Sequence, residues 1–168
     1  MKNQAESVIT VIFSKRRDEV LLIKRRDIPV WVLPGGGIEK NETSQVAALR
    51  ETQEETGLTC KIARKIGEYT PVNKLAKLTH FYELEILDGQ PSTGPETKDI
   101  RFFNINNLPK IVPPPYPEWI QDANMETNEL IRKELKNVNY TILFKNLLLH
   151  PILVVRFILS RIGLNINT

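Results

Sequence analysis

The sequence predicts one α/β domain, in which a mixed β-sheet packs between helices, followed by an apolar helical extension. Short apolar runs rich in β-branched residues lie on both sides of one helix-forming stretch, so the order of elements is strands, helix, strands. The chain has 168 residues, of which 41% are hydrophobic and 26% charged, and this composition suits a single hydrophobic core. We place the domain at residues 1–139 and the extension at residues 140–168.

Turn-forming residues separate the predicted strands. The charged segment 15–19 lies between the first two strands and predicts an antiparallel hairpin. Pro34 and three consecutive glycines end the third strand, and glycines permit a close approach of backbone or ligand. The six strand-like runs are residues 8–13, 20–23, 31–33, 58–66, 78–87 and 100–103.

A helix is predicted for residues 44–56, which contain no proline or glycine. Thr43 or Asn41 can cap its N-terminus, and Gly57 lies where a left-handed C-terminal cap is expected. We expect Val46, Leu49 and Thr56, on the side opposite the acidic residues of this helix, to pack toward the core.

Three glutamates on this helix, Glu51, Glu54 and Glu55, stand at spacings of three and four residues. Their carboxylates therefore project from one face within about one turn and repel one another. A divalent cation such as Mg²⁺ or Mn²⁺ would offset that repulsion, because these ions prefer oxygen ligands. Adjacent glutamates alone usually form only a solvated surface, so the longer pattern around them decides between the two interpretations.

A second helix is expected at residues 117–136, and the tail beyond it predicts two more at 140–149 and 152–162. The tail helices are too apolar to stand free in water. We favour burial against a second copy of the chain, then docking on the chain's own domain, and place a membrane surface third. The longest uncharged stretch of the tail, residues 146–155, is about half of what crosses a bilayer.

The net charge of +3 is unevenly distributed along the chain. Residues 131–168 carry a net charge of +5, which leaves −2 for residues 1–130 and no basic track for a long nucleic acid. Cys60 is the only cysteine and fits a reducing compartment. The first apolar run precedes its basic residues, which is the wrong order for a secretory signal, so we expect a cytoplasmic protein.

The acidic helix belongs to a longer pattern that begins at Gly36, continues through Glu42, Arg50 and the three glutamates, and ends at Gly57 and Leu58. In this pattern the chain resembles the Nudix hydrolase family and matches eight of the nine specified positions of its signature. Thr52 stands where the family normally has an apolar residue. The resemblance implies a Nudix-like α/β/α sandwich over roughly residues 7–135.

The resemblance also implies roles for individual residues. Glu54 and Glu55 match the principal metal-ligand positions, and Glu51 matches a further ligand or an alternative base. Arg50 matches the arginine that orients the carboxylates. Gly36 matches the loop that brings a backbone carbonyl to the metal.

Four further residues are candidates around this set. Glu42 is expected to hold Arg50 by a salt bridge and to support the substrate site. Glu96 lies in a loop where family members often place a catalytic glutamate, which makes it a second candidate for the base. Arg25 could contact phosphates, and Tyr69 could stack on a base, although core packing is the more common role of such an aromatic residue.

The family hydrolyses phosphoanhydride bonds of nucleoside diphosphates linked to another group, and we expect a small nucleotide of the ADP-ribose or nucleotide-sugar type. Pro71 lies near the spacing associated with ADP-ribose hydrolysis. The alternatives are a nucleoside triphosphate pyrophosphohydrolase, a non-catalytic nucleotide sensor and an RNA-end hydrolase. The intact acidic set argues against a sensor.

Overall fold

A computed structural model describes residues 6–125, 127 and 129–161 of the chain. The strands are β1 (Glu6–Val11), β2 (Glu19–Arg25), β3 (Trp31–Val32), β4 (Gly35–Gly37), β5 (Thr59–Pro71), β6 (Leu78–Asp88), β7 (Thr97–Asn104) and β8 (Ile131–Leu135). The helices are α1 (Ser44–Thr56), α2 (Tyr116–Asn124), α3 (Tyr140–Leu149) and α4 (Pro151–Arg161). This is the predicted order of strands around one helix, with a helical extension.

The strands form two sheets. The larger has the order β4-β1-β6-β5-β8 and is mixed, because β1 pairs with β6 and β5 with β8 in parallel while the other pairs are antiparallel. The smaller sheet has the order β3-β2-β7 and is antiparallel. The predicted mixed α/β architecture is therefore confirmed.

Alternation along the central strands supplies two hydrophobic clusters. On β1, Val8 packs in the cluster that includes Ala47 and Ala48 of α1, whereas Ile9 packs in the cluster that includes Trp119 and Ile120 of α2. Successive side chains of a strand point to opposite faces, so one strand serves both clusters. The two helices consequently cover opposite sides of the sheets.

Two predictions about elements are wrong in part. The predicted hairpin does not extend into a paired ladder of β1 and β2. These strands lie in different sheets, and an antiparallel bridge between Phe13 and Val20 connects them. The expected second helix at 117–136 ends at Asn124, and its apolar C-terminal part is β8. Gly67 explains the pairing of β8 with β5, because a Cβ there would lie 2.7 Å from the carbonyl oxygen of Ile131.

Helices α3 and α4 have nearly the predicted bounds, with Pro151 at the first position of α4; the predicted end at Ile162 lies outside the described residues. We favoured a second copy of the chain as the surface that buries these helices, but one of their faces packs on the chain's own domain. Val154 is only 5% exposed, and Leu153 and Phe157 pack against the core cluster beneath α1. A small core leaves apolar surface that this extension can cover. None of the described helices is long and apolar enough to span a bilayer.

Candidate active site

Helix α1 begins and ends as its sequence predicts. The Thr43 hydroxyl accepts a hydrogen bond from the amide of Val46, and Gly57 takes a left-handed conformation with φ of 71°. The buried face consists of small and polar residues, which are Ala47, Ala48, Thr52, Glu55 and Thr56. The expectation for Val46 is wrong, because its side chain is 55% exposed. Small side chains bring the helix close to the sheet, and this position makes Glu55 an interior group.

Arg50 holds the acidic residues together. Its guanidinium donates two hydrogen bonds to the Glu42 carboxylate, at 2.8 and 2.9 Å, so the predicted salt bridge is present. The same guanidinium contacts Glu51 at 3.0 Å, Glu54 at 3.2 Å and the carbonyl oxygen of Gly37 at 3.1 Å. The ion pair lowers the pKa of Glu42 to about 2, so Glu42 stays ionised at neutral pH.

Strand β4 lies directly against the carboxylate of Glu51. A Cβ added at Gly36 would collide with all three atoms of that carboxyl group, so a larger residue there would displace the Glu51 carboxylate. Burial raises the pKa of Glu51, and the charges of Glu54 and Glu96 act in the same direction. The glycine of the signature therefore leaves room for the Glu51 carboxylate in its present position.

Glu55 is the most buried acid of the group, with 7% of its surface exposed. Its carboxylate accepts a hydrogen bond of 2.8 Å from the amide of Gly35. Burial raises the pKa of Glu55 to about 8, and the charges of Glu51 and Glu96 contribute to the rise. The Glu55 carboxyl group can therefore gain or lose its proton near neutral pH when its surroundings change.

The loop before β7 brings Glu96 to the same place. The amide of Ser92 donates to the carbonyl oxygen of Thr56, and a Cβ on Gly94 would collide with the carbonyl oxygen of Glu54. The loop consequently rests on the C-terminal end of α1. Glu96 influences the pKa values of Glu51 and Glu55, so the four predicted carboxylates form one electrostatic group.

The donor set suits a hard divalent cation, because the cluster is rich in carboxylate oxygens beside a glycine backbone. Within the ranges 6–125, 127 and 129–161, no three acidic, histidine or cysteine side chains already converge as a metal site. One nitrogen of Arg50 contacts both Glu51 and Glu54. An ion at this site would have to displace the guanidinium from at least one carboxylate.

A pocket of about 980 Å³ adjoins the acidic group, and Glu96 lines it. Arg25 lines it too, but its guanidinium is held by Asp27 through hydrogen bonds of 2.9 and 2.6 Å. Sequence analysis missed Lys77, whose Nζ atom lies 3.9 Å from the position of a Cβ on Gly37. Lys77 lines the pocket and has no salt-bridge partner among the described residues. It lies in a polar loop without a motif, so no sequence signal identifies it.

Two sequence-based candidates lie away from the pocket. Tyr69 is 1% exposed, packs on Phe81 and Trp119, and donates its hydroxyl to Asp122 at 2.7 Å. A substrate cannot reach it, so the proposed stacking role is corrected to core packing. Pro71 ends β5 beside β8 and does not line the pocket.

Crowded carboxylates beside a glycine strand and a large pocket are the features of a metal-dependent enzyme site. The NUDIX domain model matches residues 4–123, and the chain belongs to the Nudix hydrolase family, whose members cleave diphosphate bonds. A Bacillus subtilis (strain 168) protein with a proposed 8-oxo-dGTP diphosphatase activity is 34% identical over 113 residues, covering 67% of this chain and 75% of that protein. The ADP-ribose pyrophosphatase of Methanocaldococcus jannaschii is 34% identical over 103 residues, covering 58% of this chain and 61% of that protein.

Solved structures show the same fold. An ADP-ribose pyrophosphatase from Streptococcus suis superposes with a TM-score of 0.65 at 20% identity, covering 79% of this chain and 99% of that one. A NUDIX hydrolase from Nitrosomonas europaea superposes with a TM-score of 0.68 at 22% identity, covering 80% of each chain. The segment after residue 123 lies beyond the family match.

Proposed function

We propose that this Nudix hydrolase cleaves the phosphoanhydride bond of a nucleoside diphosphate linked to another group, of the ADP-ribose or nucleotide-sugar type, with Mg²⁺ or Mn²⁺. The observation that carries the proposal is the group of four carboxylates on α1 and the adjacent loop, packed against Gly36. Carboxylates crowded in this way gain from a bound cation, which also binds the substrate's phosphates.

In the proposed site, Glu51, Glu54 and Glu55 hold the ion together with the Gly36 backbone. The ion supplies positive charge to the phosphate oxygens during hydrolysis. Arg50 orients the carboxylates, because its planar guanidinium contacts Glu51 and Glu54 at once. These assignments follow the family signature and are supported by the contacts on α1.

Glu96 is our first candidate for the base that accepts a proton from the attacking water, with Glu51 and Glu54 as alternatives. Its position in the pocket wall supports this role, because a base must lie within reach of the substrate. Glu96→Gln should lower kcat and leave the affinity for the ion nearly unchanged. A variant with wild-type kcat would assign the proton to another carboxylate.

The pocket supports a substrate larger than a phosphate chain. Its volume of about 980 Å³ is at the upper end of the usual range for small-molecule sites, roughly 300–1,000 Å³. Lys77 and Arg25 offer positive charge to a diphosphate, while much of the remaining wall is apolar. Two groups flanking a diphosphate would use both kinds of surface.

The test is a comparison of specificity constants for ADP-ribose, nucleotide sugars and nucleoside triphosphates, with product identification. We expect a mononucleotide and a phosphorylated sugar from the preferred substrate. A larger kcat/KM for a triphosphate, with pyrophosphate as product, would favour the pool-sanitising alternative. That alternative is supported by the relative with a proposed 8-oxo-dGTP diphosphatase activity.

Helices α3 and α4, which are joined at His150, are called the α3–α4 hairpin below. The outer face of this hairpin supports a homodimer. Apolar side chains recur every three or four residues on both helices and are 48% to 73% exposed; they are Tyr140, Phe144, Leu148, Leu149, Ile152, Val155 and Ile158. Monomeric proteins rarely expose a contiguous apolar patch of this kind. We propose that a second copy covers it.

Light scattering tests this contact. Leu148→Glu should convert a dimer to a monomer, while the matched change Leu87→Glu on β6 should leave the mass unchanged, because the two leucines are 69% and 60% exposed. A monomeric wild type would contradict the dimer, and binding to anionic vesicles would identify a membrane surface as the occupant.

We also propose a cytoplasmic location and a small-molecule substrate without long nucleic acid. Cys60 is a free thiol, and burial raises its pKa to about 11, which argues against a reactive cysteine.

A further inference from the structure

The inner face of the α3–α4 hairpin forms part of the pocket wall. Ile142 and Leu143 of α3 and Leu153, Val154 and Phe157 of α4 line the pocket. The hairpin is secured at its base, where the Asn73 amide donates to the carbonyl oxygen of Val138 at 2.8 Å. These helices follow the region matched by the family model. The pocket is therefore completed by residues that the family signature does not describe.

We propose that the inner face of the hairpin determines specificity by contacting the substrate beyond its diphosphate, where it holds a nucleobase. This inference rests on the proposed function. Its five residues named above carry no charge, so they cannot compensate a phosphate removed from water. They can instead pack against a flat, largely apolar ring. The charged side chains that suit the diphosphate, Arg25 and Lys77, come from the domain.

Two unpaired polar atoms give independent support for a nucleobase. Trp119 and Asn137 line the same pocket, and the Trp119 Nε1 and Asn137 Oδ1 atoms are buried without a hydrogen-bond partner among the described residues. The other atom of the Asn137 amide donates to Glu118 at 2.7 Å, which fixes the orientation of the amide. One buried donor and one buried acceptor remain unsatisfied.

A buried polar group without a partner is unfavourable, so a ligand that pairs with both atoms gains affinity. The edge of a nucleobase presents acceptors and donors side by side, and its faces are suited to an apolar wall. A sugar hydroxyl could pair with either atom but would leave the apolar wall without a partner. The combination therefore points to the base.

The experiment compares two matched double variants of the hairpin. Leu143→Ala with Leu153→Ala alters the inner face, and Leu148→Ala with Leu149→Ala makes the same change on the outer face. For ADP-ribose with Mg²⁺, we expect the inner variant to raise KM about tenfold or more with kcat changed less than about threefold, since tenfold corresponds to the loss of about 1.4 kcal/mol of binding. The outer variant should keep the wild-type KM, whatever its mass.

A binding measurement keeps this inference separate from the proposed function. Thermal stabilisation by ADP-ribose or AMP in excess chelator reports occupation of the pocket without turnover. If the protein hydrolyses none of the substrates but still binds AMP, the proposed function is rejected. The role of the inner face is then decided by comparing the AMP stabilisation of the two variants. Equal KM values and equal AMP stabilisation in the two variants would overturn the inference.

If the inner double variant does not fold, Leu153→Met provides a change of shape at similar volume, which cores tolerate well. We expect it to alter the ratio of kcat/KM between ADP-ribose and a uridine diphosphate sugar at least about threefold. An unchanged ratio in a folded Leu153→Met protein would also overturn the inference.

Discussion

Helix α1 carries the acidic group, the α3–α4 hairpin lines the adjoining pocket, and the two regions are held by different contacts. At α1, ion pairs and hydrogen bonds join Arg50 to Glu42 and Glu55 to the amide of Gly35, beside the packing of Ala47 and Ala48 on the core. The hairpin is held mainly by apolar packing, through residues such as Val154 and Phe157. Changes on α1 should therefore alter the chemical step, whereas changes on the hairpin should alter substrate affinity.

The two regions also differ in what surrounds them. The charges of α1 are compensated within the domain, because each of its functional carboxylates contacts Arg50 or a backbone amide. The hairpin has an inner face that packs on the domain and lines the pocket, and an exposed apolar outer face. The proposed reaction centre lies within the domain, and the surfaces proposed to bind the nucleobase and a second copy belong to the extension.

Removal of one carboxylate charge from α1 should produce the largest effect. We expect Glu54→Gln or Glu55→Gln to lower turnover at least about a hundredfold, because a positioned charge at a phosphoryl-transfer site contributes this much. Glu85→Gln is a matched control for Glu54→Gln, since both side chains are 58% exposed and both form one ion pair or more. Steady-state kinetics and circular dichroism measure activity and folding. An equal loss in the control would contradict the assignment.

A smaller effect is expected from the salt bridge that supports Arg50. Glu42→Gln removes the charge that pairs with two guanidinium nitrogens. Loss of such an outer partner typically reduces activity about 10- to 100-fold, and we expect the lower end of that range. The metal concentration for half-maximal rate should rise as well. Wild-type kinetics for Glu42→Gln would show that Arg50 is positioned by its other contacts.

The buried Glu55 predicts a pH dependence of stability in the metal-free protein. Its pKa of about 8 in the folded protein exceeds the ordinary value of 4.5, so the folded state binds this proton more tightly than the unfolded chain. The free energy of unfolding should therefore decrease as the pH rises from 4.5 toward 8. The raised pKa of Glu51 acts in the same direction.

Thermal unfolding in chelator at pH 5 and pH 8 measures this effect. We expect Tm to be several degrees lower at pH 8, and Glu55→Gln to reduce the difference. Added Mg²⁺ should stabilise the protein more at pH 8 than at pH 5, because ion binding requires the deprotonated carboxylate. A difference that Glu55→Gln leaves unchanged would assign the pH dependence to other groups.

The smallest effect is expected at the position where the chain departs from the family signature. Thr52 is fully buried, and its hydroxyl lies 2.8 Å from the hydroxyl of Thr10. We expect Thr10→Val and Thr52→Val each to lower the free energy of unfolding by about 1 kcal/mol, and the double variant to cost less than the sum. Denaturant unfolding of the four proteins measures this coupling. Strict additivity would mean that the two hydroxyls do not stabilise each other.

Much of the fold could be predicted from local patterns. The caps at Thr43 and Gly57 and the bounds of α3 and α4 depend on neighbouring residues, so the sequence signals sufficed. The identity of β8 could not be predicted, because it depends on pairing with Gly67, more than 60 residues away. Its apolar residues fit a helical spacing equally well. The division of β1 and β2 between two sheets is nonlocal for the same reason.

For the candidate site too, local contacts could be predicted from the sequence and nonlocal ones could not. The contacts of Arg50 with Glu42, Glu51 and Glu54 lie within 13 consecutive residues, and the signature identified them. The location of Lys77 beside Gly37 requires the sheet to be assembled, and no motif marks it. Tyr69 was placed wrongly among the candidates, because its partner Asp122 lies on α2. Thr52 departs from the family signature, and its hydroxyl pairs with that of Thr10, a contact that only the folded structure reveals.

The requirement for a divalent cation is the most direct test of the central claim that the α1 carboxylates perform metal-dependent phosphoanhydride hydrolysis. Hydrolysis of the preferred nucleotide should be measured in excess chelator and again after Mg²⁺ or Mn²⁺ is restored. We expect activity to be lost in chelator and to return with the ion, in proportion to its occupancy of the site. Full activity in excess chelator would contradict it.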